Sequence, residues 1–429
     1  MADLKAMYKT VMDDHFPPEM TISFGDQTLV YRKRTWTIPD DDGTQVEKGL
    51  RYGENPGQEA ALYELVGGNL ALGDCRFLAP GKGLVSALSE EGMRRFGKHP
   101  GKTNLTDIDN ALGILRYLED RPACAIMKHN NPCGVAYGAD SAEAYDRANE
   151  ADRLAAFGGA AVFNRTVDRA AAEAMSRNYL EVVAAPAYAD GAVDVLAARK
   201  NLRIVELPRI DRVREYAAER VLEFSALIDG GLVVQQSPLN RIRTADDFLP
   251  AEATRKGETV RTRRAPTERE RADLLFGWSV EQGVTSNSVL FVKDGATVGI
   301  GTGEQDRVGV TEIAIFKAYK KWADRVAWRD HGCLFFEVEL RARTGDLPKT
   351  AVDAVHEEVK SVHGGLVDAV AVSDAFFPKR DAVDAILAEG VTAIVQPGGS
   401  ISDVEILRCC NEADPPVAMV FTGQRAFKH

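Results

Sequence analysis

Leu4, Met7, Tyr8, Val11 and Met12 fall at helical spacing and predict a short amphipathic helix at the start of the chain. Residues 20–24 and 28–31 flank Gly25-Asp26 and predict a β-hairpin. Residues 39–43, with Asp40-Asp41-Asp42, read as a polar loop. From about Gly49 the pattern becomes one of short apolar runs and helical periods. Residues 123–127, 159–163, 182–185, 204–207 and 231–234 read as strands, and a helix starts at about Ser141. Residues 237–266 are rich in charge and turn formers, with little periodicity, and read as a linker. Beyond Pro266, Thr267-Glu268-Arg269-Glu270 forms a capping box that opens a helix through Leu274, Leu275 and Trp278. Residues 288–292 and 297–300 flank Lys293-Asp294-Gly295-Ala296 as a second hairpin. The chain closes as strand 369–372, helix 380–389, strand 392–395, helix 402–412 and strand 417–421. Such crossovers favour a parallel sheet covered on both faces. The fold class is therefore α/β. The expected division is 1–48 (helix and hairpin), 49–236 (first subdomain), 237–266 (linker) and 267–429 (second subdomain).

Composition narrows the picture. A chain of 429 residues exceeds one ordinary core, and a 45% hydrophobic, 27% charged composition is that of a folded protein. The net charge of −11 argues against non-specific nucleic-acid binding, although one local Arg cluster suffices for a small anion. No apolar run reaches the roughly 18–20 residues that cross a bilayer, and the first residues lack a signal-peptide core. Cys75, Cys124, Cys133, Cys333, Cys409 and Cys410 are spread thinly and read as reduced thiols, so a cytoplasmic protein is expected.

The densest polar segment is Lys128-His129-Asn130-Asn131-Pro132-Cys133-Gly134, directly after the 123–127 strand. The carboxyl ends of buried strands are where α/β sheets place ligands, and Asn-Pro with Gly predicts a shaped loop. Lys beside His supplies a cation and a near-neutral base, a useful pair for acyl transfer. Cys124, His129 and Cys133 match no zinc spacing, so no zinc is expected. Gly299-Ile300-Gly301-Thr302-Gly303 follows a hairpin instead of opening a βαβ unit, which argues against a dinucleotide site, but its glycines allow close approach of a ligand. Gln396-Pro397-Gly398-Gly399-Ser400 lies between a strand and a helix, where backbone amides can meet a polar ligand. Arg51 in Arg51-Tyr52-Gly53-Glu54-Asn55-Pro56 suits a phosphate. Phe376 and Phe377 suit a planar ring or the core. The closing Arg425-Ala426-Phe427-Lys428-His429 reads from composition alone as a frayed tail.

Taken together, these segments resemble the transformylase portion of the bifunctional purine enzyme AICAR transformylase/IMP cyclohydrolase. The resemblance also takes in Phe157-Gly158, Ser286-Asn287-Ser288, Gly299 to Arg307, and Ser373 to Pro378 with Arg380-Asp381, in family order over residues 49–429. It implies a transferase of purine biosynthesis, phosphoribosylaminoimidazolecarboxamide formyltransferase. Such an enzyme moves the formyl group of 10-formyltetrahydrofolate to the 5-amino group of AICAR, giving FAICAR. By the same resemblance His129 is the base, Lys128 stabilises charge at the formyl group, and Asn287 orients His129 and substrate. Arg51, Tyr52 and Arg425 bind the nucleotide, Arg307 and Phe376 its carboxamide region, and Phe427 stacks on the base. Val308, Asp381, Ser400 and Ile401 line the folate side. Some relatives hold potassium near Ser286, Ser288, Asp374 and His429. The implied architecture is two cytidine-deaminase-like three-layer subdomains without zinc, in a homodimer with sites at the subunit interface.

The chain departs from that family in two places. About fifty residues precede Arg51 where bifunctional members carry a cyclohydrolase domain, so a stand-alone transformylase without cyclohydrolase activity is expected. Ala187, in Pro186-Ala187-Tyr188, stands where the family has a substrate-contacting Gly. Two other functions remain open from sequence: a non-catalytic purine-nucleotide or folate binder, which would not need Lys128 and His129 together, and a formate/ATP-dependent formyltransferase, for which there is no P-loop.

Overall fold

The computed structural model describes residues 11–39, 42–76, 81–95 and 99–429. Most of the predicted N-terminal helix, and Asp40-Asp41 of the polar loop, lie outside them. The chain divides into two compact units, residues 1–119 with 158–239, and residues 120–157 with 240–429.

In the first unit a buried sheet runs Ala160–Phe163, Val182–Ala185, Arg203–Glu206 and Met93–Arg95. The first three strands are parallel and the last is antiparallel. Their short apolar runs are enclosed because the chain crosses over through the helices Arg169–Ser176 and Ala192–Ala197. The predicted first hairpin forms as Glu19–Phe24 and Gln27–Arg34, extended by Leu62–Gly68. The 231–234 strand forms as Leu232–Gln236, but it pairs with Leu222–Ala226 in a separate, largely exposed hairpin. Its run of apolar residues therefore does not mark a buried strand.

The sheet of the second unit runs Leu249–Pro250, Ala418–Phe421, Ala393–Gln396, Val370–Ser373, Val289–Lys293, Ala296–Gly301, Asn131–Tyr137 and Ala123–Lys128. The predicted C-terminal βαβαβ unit is present, with its three strands parallel. Val289, Phe291, Ala371, Ile394 and Met419 meet Phe377, Ile386 and Ile406 in one core. The helix Glu268–Glu281 starts at the predicted capping box: the Thr267 hydroxyl accepts from the Glu270 amide, and Glu270 accepts from the Thr267 amide at 2.7 Å. Within residues 237–266, Leu249–Pro250 edges the sheet and Glu252–Arg255 pairs with Glu258–Arg261. The helices Arg307–His331, Phe335–Thr344 and Lys349–Ser361 carry small cores of their own, around Val326 with Val359 and around Ala327 with Val338. Among the described residues, no helix is long and apolar enough to cross a membrane.

Candidate functional site

The segment 128–134 is not a loop. Ala123–Lys128 and Asn131–Tyr137 form a tight antiparallel hairpin, and the turn is His129-Asn130 alone. Both turn residues have positive φ, 54° and 63°, the signature of a type I′ connection whose twist matches the strands. His and Asn tolerate this region better than β-branched residues do, yet it is a sparsely populated conformation that the surrounding structure must hold. Four contacts do so. Asn131 Oδ1 accepts from the Thr285 amide at 3.0 Å and from the Thr302 hydroxyl at 3.1 Å. Lys128 Nζ donates to the Phe157 carbonyl at 2.7 Å, and Lys428 Nζ donates to the Asn130 carbonyl at 3.2 Å. The turn thus presents an exposed imidazole, with a half-buried ammonium on the preceding residue.

A buried polar cluster lies in the same unit. Arg307, the first residue of its helix, donates from Nη1 to Asp374 Oδ1 at 2.5 Å, to the Ser288 carbonyl at 2.7 Å and to Ser373 Oγ at 3.0 Å. Its Nη2 donates to Asn287 Oδ1 at 3.0 Å, and Asn287 Nδ2 donates to the Glu304 carbonyl at 3.0 Å. Among the described residues no hydrogen bond joins Asn287 to His129. The Ser286 hydroxyl donates to the other oxygen of Asp374, and the Ser288 hydroxyl donates to Glu281. Burial and the neighbouring Asp374 charge push the Glu281 carboxyl well above its ordinary range, outweighing the Ser288 and Arg307 contributions. Among the described residues, no three His, Cys, Asp or Glu side chains are placed to hold a metal ion. The cation beside Asp374 is Arg307 itself.

The C-terminal residues are pinned, not frayed. The Ala426 amide donates to the Asp374 carbonyl at 3.0 Å, the Ser286 amide donates to the Lys428 carbonyl at 2.9 Å, and Lys428 Nζ reaches the Gly283 carbonyl at 3.0 Å. This holds the Arg425 guanidinium between two rings, 5.5 Å from the centre of Phe376 and 5.4 Å from that of Phe427. His429 lies 5.8 Å from the Phe427 ring. The two aromatics of the 373–378 segment have separated: Phe377 is core and Phe376 meets Arg425.

Two glycine-rich stretches do other work than the sequence suggests. A Cβ on Gly299 or Gly301 would lie 2.5 or 2.2 Å from the backbone oxygens of Ala314 and Val310, so these glycines seat a helix on the strand. The Gly399 and Ser400 amides, expected to face a ligand, donate to Asp403 Oδ2 at 2.8 and 2.9 Å. Burial raises the Asp403 carboxyl despite those donors. The proposed folate-side residues have local surroundings. Val308 packs at the edge of the core, Asp381 accepts from the Ala382 amide at 2.9 Å, Ser400 Oγ accepts from the Ser402 amide at 3.1 Å, and Ile401 is 83% exposed.

Arg51 and Tyr52 belong to the other unit. The Arg51 guanidinium stacks 4.5 Å over the Tyr52 ring and donates to its hydroxyl at 2.9 Å, with the Arg only 7% exposed. Their backbone is tied to residues 100–102: the Arg51 amide donates to the Pro100 carbonyl at 2.9 Å and the Lys102 amide to the Tyr52 carbonyl at 3.1 Å. Sequence reasoning missed Glu281, Lys428 and Arg203. Arg203 meets the carbonyls of His99 and Glu181, distant in the chain, and the burial of Glu281 beside Asp374 leaves no local pattern.

The chain is 35% identical over 387 residues to the bifunctional purine biosynthesis protein PurH of Ruegeria sp. (strain TM1040), covering 90% of this chain and 60% of that protein. It is also 35% identical over 381 residues to the protein of the same name from Xanthomonas euvesicatoria pv. vesicatoria (strain 85-10), covering 89% of this chain and 58% of the relative. The chain thus spans about 60% of the length of the relatives it matches. The family model described as AICARFT/IMPCHase bienzyme matches residues 26–317, which include Arg51-Tyr52, the His129 turn, Asn287 and Arg307. The chain belongs to the AICARFT/IMPCHase bienzyme family.

Proposed function

We propose that this protein transfers the formyl group of 10-formyltetrahydrofolate to the 5-amino group of AICAR. The observation that carries the reading is the family match across residues 26–317, which takes in Lys128 and His129 at a two-residue hairpin turn. The acceptor amine is conjugated with an imidazole carboxamide and is a weak nucleophile, so it needs a base and help with developing charge. In this reading the exposed His129 imidazole accepts the amine proton as the nitrogen attacks the formyl carbon. Lys128 steadies the oxygen of the tetrahedral intermediate. Collapse breaks the bond from carbon to N10 of the folate, and N10 takes up a proton. Arg51, Tyr52 and Arg425 hold the phosphate-bearing part of AICAR, Phe427 and Phe376 its ring, and Arg307 with Asn287 its carboxamide. Val308, Asp381, Ser400 and Ile401 serve the folate. A potassium ion near Ser286, Ser288, Asp374 and His429 would share Asp374 with the Arg307 guanidinium that already faces it. The reading includes two deaminase-like subdomains and a homodimer, which sedimentation would test.

The deciding experiment supplies AICAR with 10-formyltetrahydrofolate in one arm and with formate plus ATP in the other, following tetrahydrofolate and FAICAR. Product in the first arm alone is expected. Product only in the second arm, or substrate binding without product in either, would replace the proposal with one of the two rival functions.

A further inference from the structure

The His129 imidazole is exposed and meets no hydrogen-bond partner among the described residues. A base is ordinarily aimed by a third group, and the residue expected to do this, Asn287, is spent on Arg307 and the Glu304 carbonyl. The aim of the ring therefore depends on the backbone of the turn, whose two residues sit in the left-handed region. Lys128 and Asn131 hold the strand ends on either side. Lys428 reaches the turn itself. Its Nζ donates to the Asn130 carbonyl at 3.2 Å and to the Gly283 carbonyl at 3.0 Å, which ties the peptide after Asn130 to the segment 283–286. The Lys428 carbonyl accepts from the Ser286 amide at 2.9 Å, so this side chain springs from a backbone that is itself anchored. It is half-buried, where a charged donor makes stronger hydrogen bonds than it does in water. The same tail carries Arg425 between the Phe376 and Phe427 rings.

We infer that Lys428 is a positioning residue for the His129 base: its ammonium bridges the Asn130 and Gly283 carbonyls and so sets the direction in which the turn presents the imidazole. The inference rests on the proposed role of His129. The closing residues then serve the reaction twice, Arg425 and Phe427 through AICAR and Lys428 through the turn. Lys428 touches no reacting atom in this account, so its loss acts on the transfer step and not on substrate affinity. A misplacement of about 1 Å at a reacting group costs up to about 10²-fold in rate.

The test compares wild type, Lys428→Met, Lys428→Arg and His129→Gln as full chains, by single-turnover formyl transfer, AICAR calorimetry and NMR of ring-labelled histidine. The resonance missing from His129→Gln belongs to His129. Lys428→Met should lower transfer by about 10- to 100-fold with AICAR affinity within about twofold, and the His129 resonance should shift or split. Lys428→Arg keeps a cation able to reach both carbonyls, and should bring transfer back to within about fivefold of wild type with a single resonance. Transfer within about threefold of wild type in Lys428→Met would overturn the inference. So would a loss of transfer with the His129 resonance unmoved, or a matching loss of AICAR affinity, which would make Lys428 a substrate contact. If Lys428→Met fails to fold, Lys428→Gln, which drops the charge and shortens the reach, decides by the same readouts. If His129→Gln transfers formyl as fast as wild type, the base role falls and this inference with it, a failure that leaves the resonance change in Lys428→Met in place.

Discussion

The His129 turn and the Arg307 cluster lie in the same unit and are built in opposite ways. The turn is a strained two-residue connection with an exposed imidazole, tied by the side chains of Lys128 and Asn131 on either side of it and by Lys428. The cluster is buried, and both terminal nitrogens of Arg307 are spent on protein acceptors, with Asp374 fully enclosed. A group that must take up and release a proton needs access. A group that must fix a backbone needs low dielectric and complete pairing. The difference teaches that the Arg307 cluster ties the segments 285–288 and 373–376 together, while the turn leaves its imidazole open to solvent, as the proposed proton transfer requires.

That division can be broken at several points. Arg307→Leu should have the largest effect on stability, about 3–5 kcal/mol by chemical denaturation, because it leaves Asp374 buried beside Glu281 with the Ser286 hydroxyl but no opposite charge. A loss under about 1 kcal/mol would mean that water reaches the cluster. Glu270 sharpens the contrast, since it too is buried but serves only the fold. Burial pushes its carboxyl up, yet Arg264, Thr392 and the Thr267 amide outweigh this and hold it at about 2, below the ordinary value of 4.5. A lowered carboxylate stabilises fully above 4.5, and the contribution disappears as pH falls from there to about 2. Glu270→Gln should therefore lose roughly 2–3 kcal/mol at neutral pH and show a flatter acid-unfolding profile over that window. An unchanged acid profile would contradict the pairing. The smallest effect is expected at the surface: Arg425→Ala should leave melting unchanged and weaken AICAR by about tenfold, or 1.4 kcal/mol. Normal AICAR binding would leave the Phe376–Arg425–Phe427 stack without a role in the site.

The sequence made the elements legible where one period dominates. The C-terminal βαβαβ unit and the Thr267 capping box are examples, because burial of one face or both faces writes itself into local spacing. It misled where backbone geometry overrode composition. Asn131-Pro132-Cys133-Gly134 reads as a loop but pairs as a strand, with a register shift between Pro132 and Gly134 that absorbs the proline. The tail reads as frayed because its anchors, Asp374, Ser286, Gly283 and Asn130, are distant in sequence. Arg203 and Glu281 were invisible because a buried ionisable group is recognised only by what surrounds it. The candidate site was legible as a set of motifs, but not as the hydrogen-bond network among those of the second unit.

The central claim is that the exposed imidazole at the turn does the proton transfer. Single-turnover formyl transfer at saturating AICAR, comparing wild type with His129→Gln, tests it most directly. The account predicts a rate lower by roughly 10²–10⁴ with AICAR affinity retained. A variant within a few-fold of wild type would contradict it and move the base elsewhere.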